Sequence, residues 1–234
     1  MIRIEKYLSE NGIMSRREAK KMLLEGNILL NNTRAQPGDK LNPKKDTLQY
    51  TDKVQEFLEK KETVLVHKPR GVVSSKDSDG EKNIFDVFPQ YAHLNTVGRL
   101  DKESDGLILL SNDGMVTKAI TGRDHLIEKE YYVTVREKVT NDMMRKMSEG
   151  IKIEDGWTLP AVAKKRGPHA FSIVLKEGRK HQIRRMANAV KLTINSLTRV
   201  RIDTITAPKM LPGNFRTLTH KEMTSLKAAT QKKV

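Results

Sequence analysis

Hydrophobic residues near the start of the chain recur at the spacing of helical turns. Ile4 and Leu8 lie on one face of a predicted first helix, and Gly12 is expected to end it. Ser15 and Glu18 then form the Ser-x-x-Glu pattern of a capping box, in which each side chain binds a backbone N–H of the other residue. This pattern predicts that a second helix begins directly after Ser15.

A short β-hairpin is predicted after the second helix. Ala19, Met22 and Leu23 give that helix an apolar face, and Gly26 is expected to terminate it. The segments 28–30 and 33–35 are separated by an Asn-Asn pair, which tolerates the positive φ angles of a tight turn. Residues 1–48 are therefore predicted to form a small N-terminal domain.

The rest of the chain is predicted to contain a linker and a second domain. Residues 49–62 are charged and weakly periodic, which indicates an interdomain linker with a short helix at 54–59. Residues 63–234 intersperse strands and helices without a regular βαβ repeat, so the expected fold class is α+β with a mixed, mostly antiparallel sheet. The predicted strands lie at 64–66, 72–74, 107–110, 131–135, 171–175 and 199–202. The predicted helices lie at 116–120, 142–148, 181–190 and 221–226.

The composition is that of a soluble globular protein, since 37% of its 234 residues are hydrophobic and 31% are charged. No apolar run approaches the roughly 20 residues that span a bilayer, and the N-terminus lacks the apolar core of a signal peptide. We therefore expect a cytoplasmic protein without a membrane partner. The chain has no cysteine and its six histidines show no metal-binding spacing, so no metal site is expected.

Charge points to a polyanionic partner. A formal net charge of +15 favours binding to phosphate backbones, because each neutralised phosphate releases a counterion. On the second helix, two rows of basic residues four apart rise on the side away from the apolar face. These residues are Arg16, Lys20, Arg17 and Lys21. A solvated helix face is the alternative interpretation of this pattern.

A second basic segment lies near the C-terminal end. Residues 178–201 contain seven Lys or Arg residues and no Asp or Glu, which predicts an RNA-binding track. The candidate phosphate contacts are Arg179, Lys180, Arg185, Lys191, Arg199 and Arg201. A solvated surface would account for some of them equally well.

One acidic cluster precedes an apolar run. Asp101, Glu103 and Asp105, followed by Gly106, match part of a calcium-binding loop. The match fails at the twelfth position, where Asn112 replaces the required glutamate. An acidic surface turn is the remaining alternative if this segment is taken alone.

The N-terminal domain resembles the S4 RNA-binding domain. The similarity lies in Arg-x-x-Lys-Tyr-Leu at 3–8, Ser-Arg-Arg-Glu-Ala at 15–19, Gly-Asn-Ile at 26–28 and Asn31. It covers nearly all of residues 3–48, and it implies that the basic helix binds structured RNA.

Four ordered segments of the second domain resemble motifs of the RNA pseudouridine synthases. They are Lys-Pro-x-Gly at 68–71, NTVGRLD at 95–101 with Gly-Leu and Asn-Asp-Gly after it, KEYYV at 129–133, and EGRKHQIRRM at 177–186. Together with the S4-like domain, they resemble the small-subunit-type (RsuA-like) branch, which acts on bacterial ribosomal RNA. The resemblance implies isomerisation of uridine to pseudouridine without a cofactor.

The resemblance also implies roles for individual residues. Asp101 corresponds to the catalytic carboxylate, acting at the ribose either as nucleophile or as base, and Arg184 is its implied partner. A nearby guanidinium favours the ionised form that either role needs. Tyr131 is implied to stack on the uracil and Arg99 to help extrude it, while Ile183 and Lys129 are further expected substrate-binding residues. His181 is expected to be a structural donor beside the cleft.

Ribosomal RNA, most of all that of the large subunit, is therefore the expected partner of a monomeric enzyme, with transfer RNA as an open alternative. A non-catalytic S4-type RNA-binding or ribosome-assembly protein is the competing hypothesis from another class. A hydrolase that uses Asp101 with Glu103 or Asp105 is a further alternative, but no metal or nucleophile pattern supports it.

Overall fold

The computed structural model describes residues 1–76, 78–122 and 127–229. The N-terminal unit packs two helices against short strands. Its elements, in chain order, are β1 (Ile2–Arg3), α1 (Ile4–Glu10), α2 (Arg16–Leu24), β2 (Ile28–Leu30), β3 (Thr33–Arg34), β4 (Lys40–Leu41), β5 (Leu48–Tyr50) and α3 (Asp52–Glu59). Within the described ranges, no helix is both long and apolar enough to cross a membrane.

The local signals predicted for this unit are present. Ser15 caps α2 in a full capping box: its backbone N–H donates to Glu18 Oε2 at 2.6 Å, and the Glu18 N–H donates to Ser15 Oγ at 3.3 Å. Asn31 and Asn32 both adopt positive φ, 50° and 67°, between the two strands of the predicted hairpin. Both the second helix and the hairpin are therefore confirmed.

The segment predicted as a linker at 49–62 is instead largely part of the N-terminal unit. β5 pairs with β2, which places Tyr50 opposite Ile28. Val54, on α3, is fully buried in the core of this unit, and Phe57 and Leu58 pack against the same core. The apolar face of α3 is the physical reason, because it removes apolar surface from water only by packing on that core.

The C-terminal unit is built on a nine-stranded sheet. Its strands and helices, in chain order, are β6 (Thr63–Lys68), α4 (Ile84–Val87), a 3₁₀ turn (Pro89–Tyr91), β7 (Asn95–Val97), β8 (Asp105–Ser111), α5 (Gly114–Thr121), β9 (Lys129–Val135), α6 (Asn141–Glu149), β10 (Lys152–Ile153), β11 (Gly156–Trp157), β12 (Val162–Gly167), β13 (Ala170–Leu175), α7 (Gln182–Ala189), β14 (Ile194–Ile202), β15 (Ile205–Thr206), β16 (Phe215–Thr217) and α8 (His220–Ala229).

Strand pairing makes the sheet mixed and mostly antiparallel, as expected. The main order is β12-β13-β9-β14-β8-β6-β16, with β7 added to β8 and β15 to β14. Among the described strands, only β14 and β8 pair in parallel. This central parallel pair brings the start of β8 next to Arg199 on β14.

Helices pack on the sheet and form separate hydrophobic cores with it. α6 and α7 pack on β9 and β13 through Met147, Met186 and Phe171, all fully buried. α5 and α8 pack on β6 and β8 around Ala119, and the side chain of Leu226 is fully buried there. The two cores lie on different halves of the sheet, and residues of β9 and β14, the end of α5 and the start of α7 line a cleft.

The sequence missed several elements and misassigned one. The segment predicted as a strand at 72–74 forms only a single bridge, between Val73 and Asn83. β12 was not predicted, because its side chains are mostly exposed and lack alternating apolar positions. The short strands β7, β10, β11, β15 and β16 and the helix α4 were also not predicted.

Direct contacts join the two units at the N-termini of α2 and α5. The Gly114 N–H donates to Glu18 Oε1 at 3.2 Å, so the capping-box glutamate also binds the neighbouring unit. The Lys61 ammonium lies 3.1 Å from Asp113 Oδ1, and Lys118 Nζ donates to Ser9 Oγ at 3.3 Å. A Cβ added at Gly114 would overlap the side chain of Ser15, so the glycine permits this close approach.

Candidate active site

Asp101 lies in the turn that joins β7 to β8. Hydrogen bonds within the turn, and others from Ser74, hold its backbone. The Ser104 N–H donates to the Asp101 carbonyl at 3.0 Å. Ser74, which is buried, donates its hydroxyl to the Leu100 carbonyl at 2.7 Å and accepts from the Leu100 N–H at 3.1 Å. The carboxylate is thus presented from a fixed backbone, which suits a reactive group.

A glycine allows this turn to approach the centre of the sheet. Gly106, at the start of β8, has a φ of +108°, and a Cβ there would overlap the backbone of Arg199. No side chain can replace this glycine while β8 and β14 remain paired. The position of Asp101 therefore depends on the central parallel pair of strands.

The Asp101 side chain is about one-third exposed and faces two basic groups from α7 and the residue before it. Arg184 Nε lies 4.0 Å from Asp101 Oδ2, and His181 Nε2 lies 3.5 Å from Asp101 Oδ1. The same guanidinium donates from Nη2 to the Glu103 carbonyl at 3.0 Å and to Ser104 Oγ at 3.3 Å. Arg184 therefore contacts both the carboxylate and the backbone that carries it.

His181 adopts a left-handed backbone conformation, with a φ of 52°, immediately before α7. Only a few per cent of non-glycine residues have positive φ. The conformation brings the imidazole to the rim of the site, beside Asp101. The ring lies beside the cleft, and its contact with Asp101 is a finding of the structure, while its role as a structural donor stays a prediction.

A cleft of about 590 Å³ opens beside Asp101. Its wall includes Tyr131 and Lys129 from β9, Ile183 from α7, and Arg99. Tyr131 is partly buried and packs against two of the apolar cores, while the adjacent Tyr132 is exposed. The structure therefore brings together the catalytic and substrate-binding residues predicted from the sequence.

Two lysines near the site have a lowered pKa. Lys129, bound to the Ile127 carbonyl at 3.0 Å, has its pKa lowered to about 8 by burial and then by the Arg199 charge. Burial also lowers the pKa of Lys68 to about 8, although Asp105 and Asp101 partly oppose the effect. Lys68 is fully buried and donates to the Pro69 and Val72 carbonyls at 2.9 and 2.6 Å.

The candidate RNA-contact residues on α2 are free to meet a ligand. The side chains of Arg16, Arg17, Lys20 and Lys21 are all exposed, on the face opposite the buried Ala19. Lys180 is also exposed and lines the cleft. Their role in RNA binding stays a prediction.

Other members of the predicted basic track form ion pairs with acidic residues of the same chain. Arg179 pairs with Glu177 at 3.0 Å, and Arg185 makes two bonds to Asp155, at 2.9 and 3.2 Å. The two arginines hold the β10–β11 hairpin, whose backbone carbonyls at 155 and 157 also accept from Arg179.

The two arginines of β14, Arg199 and Arg201, also bind groups of the same chain. Arg199 is 4% exposed and donates from Nε to the Leu107 carbonyl at 2.5 Å. Arg201 pairs with Glu130 and Glu128 at 2.9 and 3.2 Å. Arg199 lies inside the fold and lines the cleft, and its Nη2 is buried without a hydrogen-bond partner, so its predicted contact with phosphate stays a prediction.

No pattern in the sequence pointed to the residues around this hairpin. Leu159 lines the cleft and is 43% exposed, and its N–H is fixed by Glu177 at 2.8 Å. Trp157, two positions earlier, is 67% exposed. The proximity of Leu159 to Asp101 depends on a fold contact between distant segments, which a pattern along the chain does not contain.

Asp101, Glu103 and Asp105 do not form a calcium loop. In the described ranges, no group of three or more His, Cys, Asp or Glu side chains is arranged to hold a metal ion. Glu103 instead pairs with Arg70 at 3.0 Å, and one carboxylate oxygen of Asp105 is buried without a hydrogen-bond partner.

Two protein-family models match the chain. The model described as RNA pseudouridylate synthase matches residues 62–189, and the S4 domain model matches residues 2–47. The first covers more than half of the chain and includes Asp101, Tyr131 and Arg184.

Curated relatives match along almost the whole chain. The dual-specificity RNA pseudouridine synthase RluF of Escherichia coli K12 is 38% identical over 229 residues, which are 96% of this chain and 78% of RluF. The ribosomal large subunit pseudouridine synthase B of Bacillus subtilis is 30% identical, over 97% of this chain and 96% of that protein. A solved structure described as a pseudouridylate synthase matches with a TM-score of 0.70 and 28% identity, covering 97% of this chain and all of the other.

Proposed function

The chain belongs to the RNA pseudouridylate synthase family, and we propose that it isomerises a uridine of ribosomal RNA with Asp101 as the catalytic carboxylate. It carries an N-terminal S4 domain and a C-terminal synthase fold, and it is an RNA pseudouridine synthase. The observation that carries the proposal is the placement of the Asp101 carboxylate beside Arg184, in a cleft that Tyr131 also lines.

The reaction places particular demands on these side chains. The N1–C1′ bond of uridine breaks, the base turns while bound, and C5 bonds to C1′; the C5 proton then leaves and N1 gains one, so the product is an isomer. Asp101 supplies the carboxylate at the ribose, as nucleophile or as base. Arg184 orients it, since it contacts both the carboxylate and the Glu103 carbonyl.

The remaining cleft residues bind the base. Tyr131 offers a ring on which an extruded uracil stacks, and stacking suits a base that must turn in place because it imposes no fixed hydrogen-bond pattern. Ile183 supplies an apolar wall, and Arg99, which also lines the cleft, helps to extrude the base in this proposal. Lys129 contributes a positive charge near the uracil carbonyls.

The S4 domain anchors the RNA in this proposal. The basic face of α2, formed by Arg16, Arg17, Lys20 and Lys21, is exposed, and contacts of α2 and α1 with α5 attach the domain to the synthase fold. Phosphate contacts of this kind position a substrate without reading its sequence. Lys180 continues the positive surface at the cleft.

Ribosomal RNA is the proposed substrate class, with the large-subunit RNA first. The Bacillus subtilis relative is named for the large ribosomal subunit, whereas a Haemophilus influenzae relative that is 29% identical is named for the small subunit. The RluF relatives are named as dual-specificity enzymes, which keeps a second RNA substrate such as transfer RNA open.

Pseudouridine mapping tests the proposal. Purified protein is incubated with protein-free ribosomal RNA and, in parallel, with transfer RNA, and the modified positions are mapped with and without the Asp101→Asn variant. A new pseudouridine in ribosomal RNA with the wild-type protein alone is the expected result. RNA binding without any isomerisation would contradict the proposal and favour the non-catalytic S4-type RNA-binding protein.

A further inference from the structure

Trp157 is the only tryptophan of the chain and is 67% exposed at the end of β11. Its side chain lines a groove of about 680 Å³, separate from the cleft that contains Asp101. An indole ring in water leaves a large apolar area unburied, and aromatic residues are enriched where a partner covers them.

The backbone beneath this ring is held rigidly. The Trp157 carbonyl accepts from Arg179 Nη2 at 2.5 Å, and the preceding Asp155 binds Arg185 through both carboxylate oxygens. Trp157 also pairs across the hairpin with Lys152. The ring is therefore presented from a fixed frame, which lowers the entropic cost of binding a ligand against it.

The groove beside Trp157 is positively charged. Its two acidic residues, Asp142 and Glu149, form ion pairs with Arg145 and Lys146 on α6, two charges against two. Lys152 and Lys191 line the groove and are exposed, and neither has an ion pair in the described part of the chain. An aromatic ring flanked by unpaired lysines is the arrangement that binds a nucleobase together with its phosphates.

The groove adjoins the catalytic cleft. Leu159 lines the cleft, and the two residues from Trp157 to Leu159 span at most about 7 Å. Arg179, which lines the cleft, also holds the Trp157 carbonyl. A strand of RNA with its target base in the cleft can therefore reach the indole with a nearby base.

We propose that Trp157 is a stacking platform for an unpaired base near the target uridine of the same RNA, with Lys152 and Lys191 contacting the adjacent phosphates. This proposal rests on the proposed function for the identity of the base in the cleft. A second copy of the chain is the less favoured occupant, because a symmetric contact would bring the same lysines of the two copies together.

The single tryptophan makes the site directly observable. Trp157 fluorescence is excited at the red edge of the indole band while a short RNA stem-loop with uridines in its loop is added. The dissociation constant of the same RNA is measured separately by filter binding. Both measurements use the Asp101→Asn full-length chain, so that no turnover occurs. We expect the fluorescence to change in proportion to bound RNA.

Variants separate stacking from general surface effects. Trp157→Ala is expected to weaken RNA binding by about five- to a hundredfold, whereas Trp157→Phe retains most of the affinity. Leu211→Ala, at an equally exposed residue outside the cleft and the groove, is the matched control and should bind as the parent does. Circular dichroism checks that each variant is folded.

Different outcomes distinguish this proposal from the proposed function. Bound RNA that leaves the fluorescence unchanged, or Trp157→Ala with parental affinity, overturns the stacking site even if pseudouridine is formed. RNA that fails to bind overturns it too, and so does a fluorescence change that depends on protein concentration alone. A fluorescence change with RNA, but no pseudouridine from the wild-type protein, would support the site and contradict the proposed function.

Discussion

Arg184 contacts both the carboxylate of Asp101 and the main chain of the turn that carries Asp101. Its Nε lies 4.0 Å from Asp101 Oδ2, while its Nη2 donates to the Glu103 carbonyl at 3.0 Å. The forked guanidinium makes this double contact possible, and a lysine ammonium has no equivalent geometry. We therefore expect both charge and shape at position 184 to matter for turnover.

Replacing Arg184 should slow the chemical step at saturating RNA. Arg184→Ala is expected to lower kcat by about ten- to a hundredfold, the cost of losing hydrogen bonds that involve charged groups. Arg184→Lys should recover only part of this loss. Single-turnover assays with excess enzyme provide the measurement. Arg70→Ala is the control, because Arg70 binds the Glu103 side chain on the exposed side of the same turn. A normal maximal rate in Arg184→Ala would contradict the assigned role.

Asp101→Asn should abolish isomerisation while leaving the fold and RNA affinity intact. The change removes a charge but almost no volume, and the loss of a nucleophile or base lowers the rate by about a thousandfold or more. The matched control is Glu103→Gln, an exposed acid two positions later that does not face the cleft. Turnover by Asp101→Asn within about tenfold of the wild type would remove Asp101 from the catalytic step.

The pKa of Lys129 makes the stability dependent on pH. Its pKa is about 8 in the folded chain against a usual value of 10.5, so the unfolded chain binds more protons between these limits. The free energy of unfolding should therefore rise with pH across that window, by at most about 1.4 kcal/mol per pH unit for this group. Urea denaturation at a series of pH values measures the slope.

Lys129→Met should flatten that slope, although Lys68, whose pKa is lowered in the same way, keeps part of it. Lys176→Met is the control, since Lys176 lines the same cleft but is exposed. An unaltered slope in Lys129→Met would show that Lys129 does not titrate in this range.

The sequence predicted the local structure and the chemical groups better than it predicted their partners. Ser15 and Glu18 form the expected capping box because its geometry is set within four residues. In the basic segment 178–201, the sequence did not show that Arg185 pairs with Asp155 of the β10–β11 turn and Arg201 with Glu130 of β9. Strand pairing decides such contacts, and charge counted along the chain does not contain this information.

The same reasoning explains what was missed around the cleft. β12 is an edge strand with exposed lysines, which lacks the alternation of a half-buried strand. Leu159 lines the cleft and Trp157 lines the neighbouring groove, and Glu177 and Arg179 bind their backbones through contacts that the sequence pattern does not show. Asp101 and Arg184, in contrast, were found through motifs that resemble a known family.

The basic face of α2 should contribute most of the salt dependence of RNA binding. Replacing Arg16, Arg17, Lys20 and Lys21 together by Gln is expected to lower affinity and reduce the slope of log affinity against log salt by about three, the value for four phosphate contacts. The control replaces Lys164 and Lys165, which are exposed on the edge strand β12. A slope equal to that of the wild type would make the α2 face a solvated surface.

Gly114 should couple the S4 domain to the synthase fold. A side chain at this position overlaps Ser15, so Gly114→Ala is expected to separate the N-termini of α2 and α5 and to break the bond from Gly114 to Glu18. RNA affinity should then fall, because the two domains no longer act as one surface, whereas the rate at saturating RNA should change little because the cleft lies elsewhere. Gly167→Ala, at a glycine with open space around it, is the control. Binding and single-turnover assays on both variants provide the measurement, and wild-type affinity in Gly114→Ala would show that this contact does not align the domains.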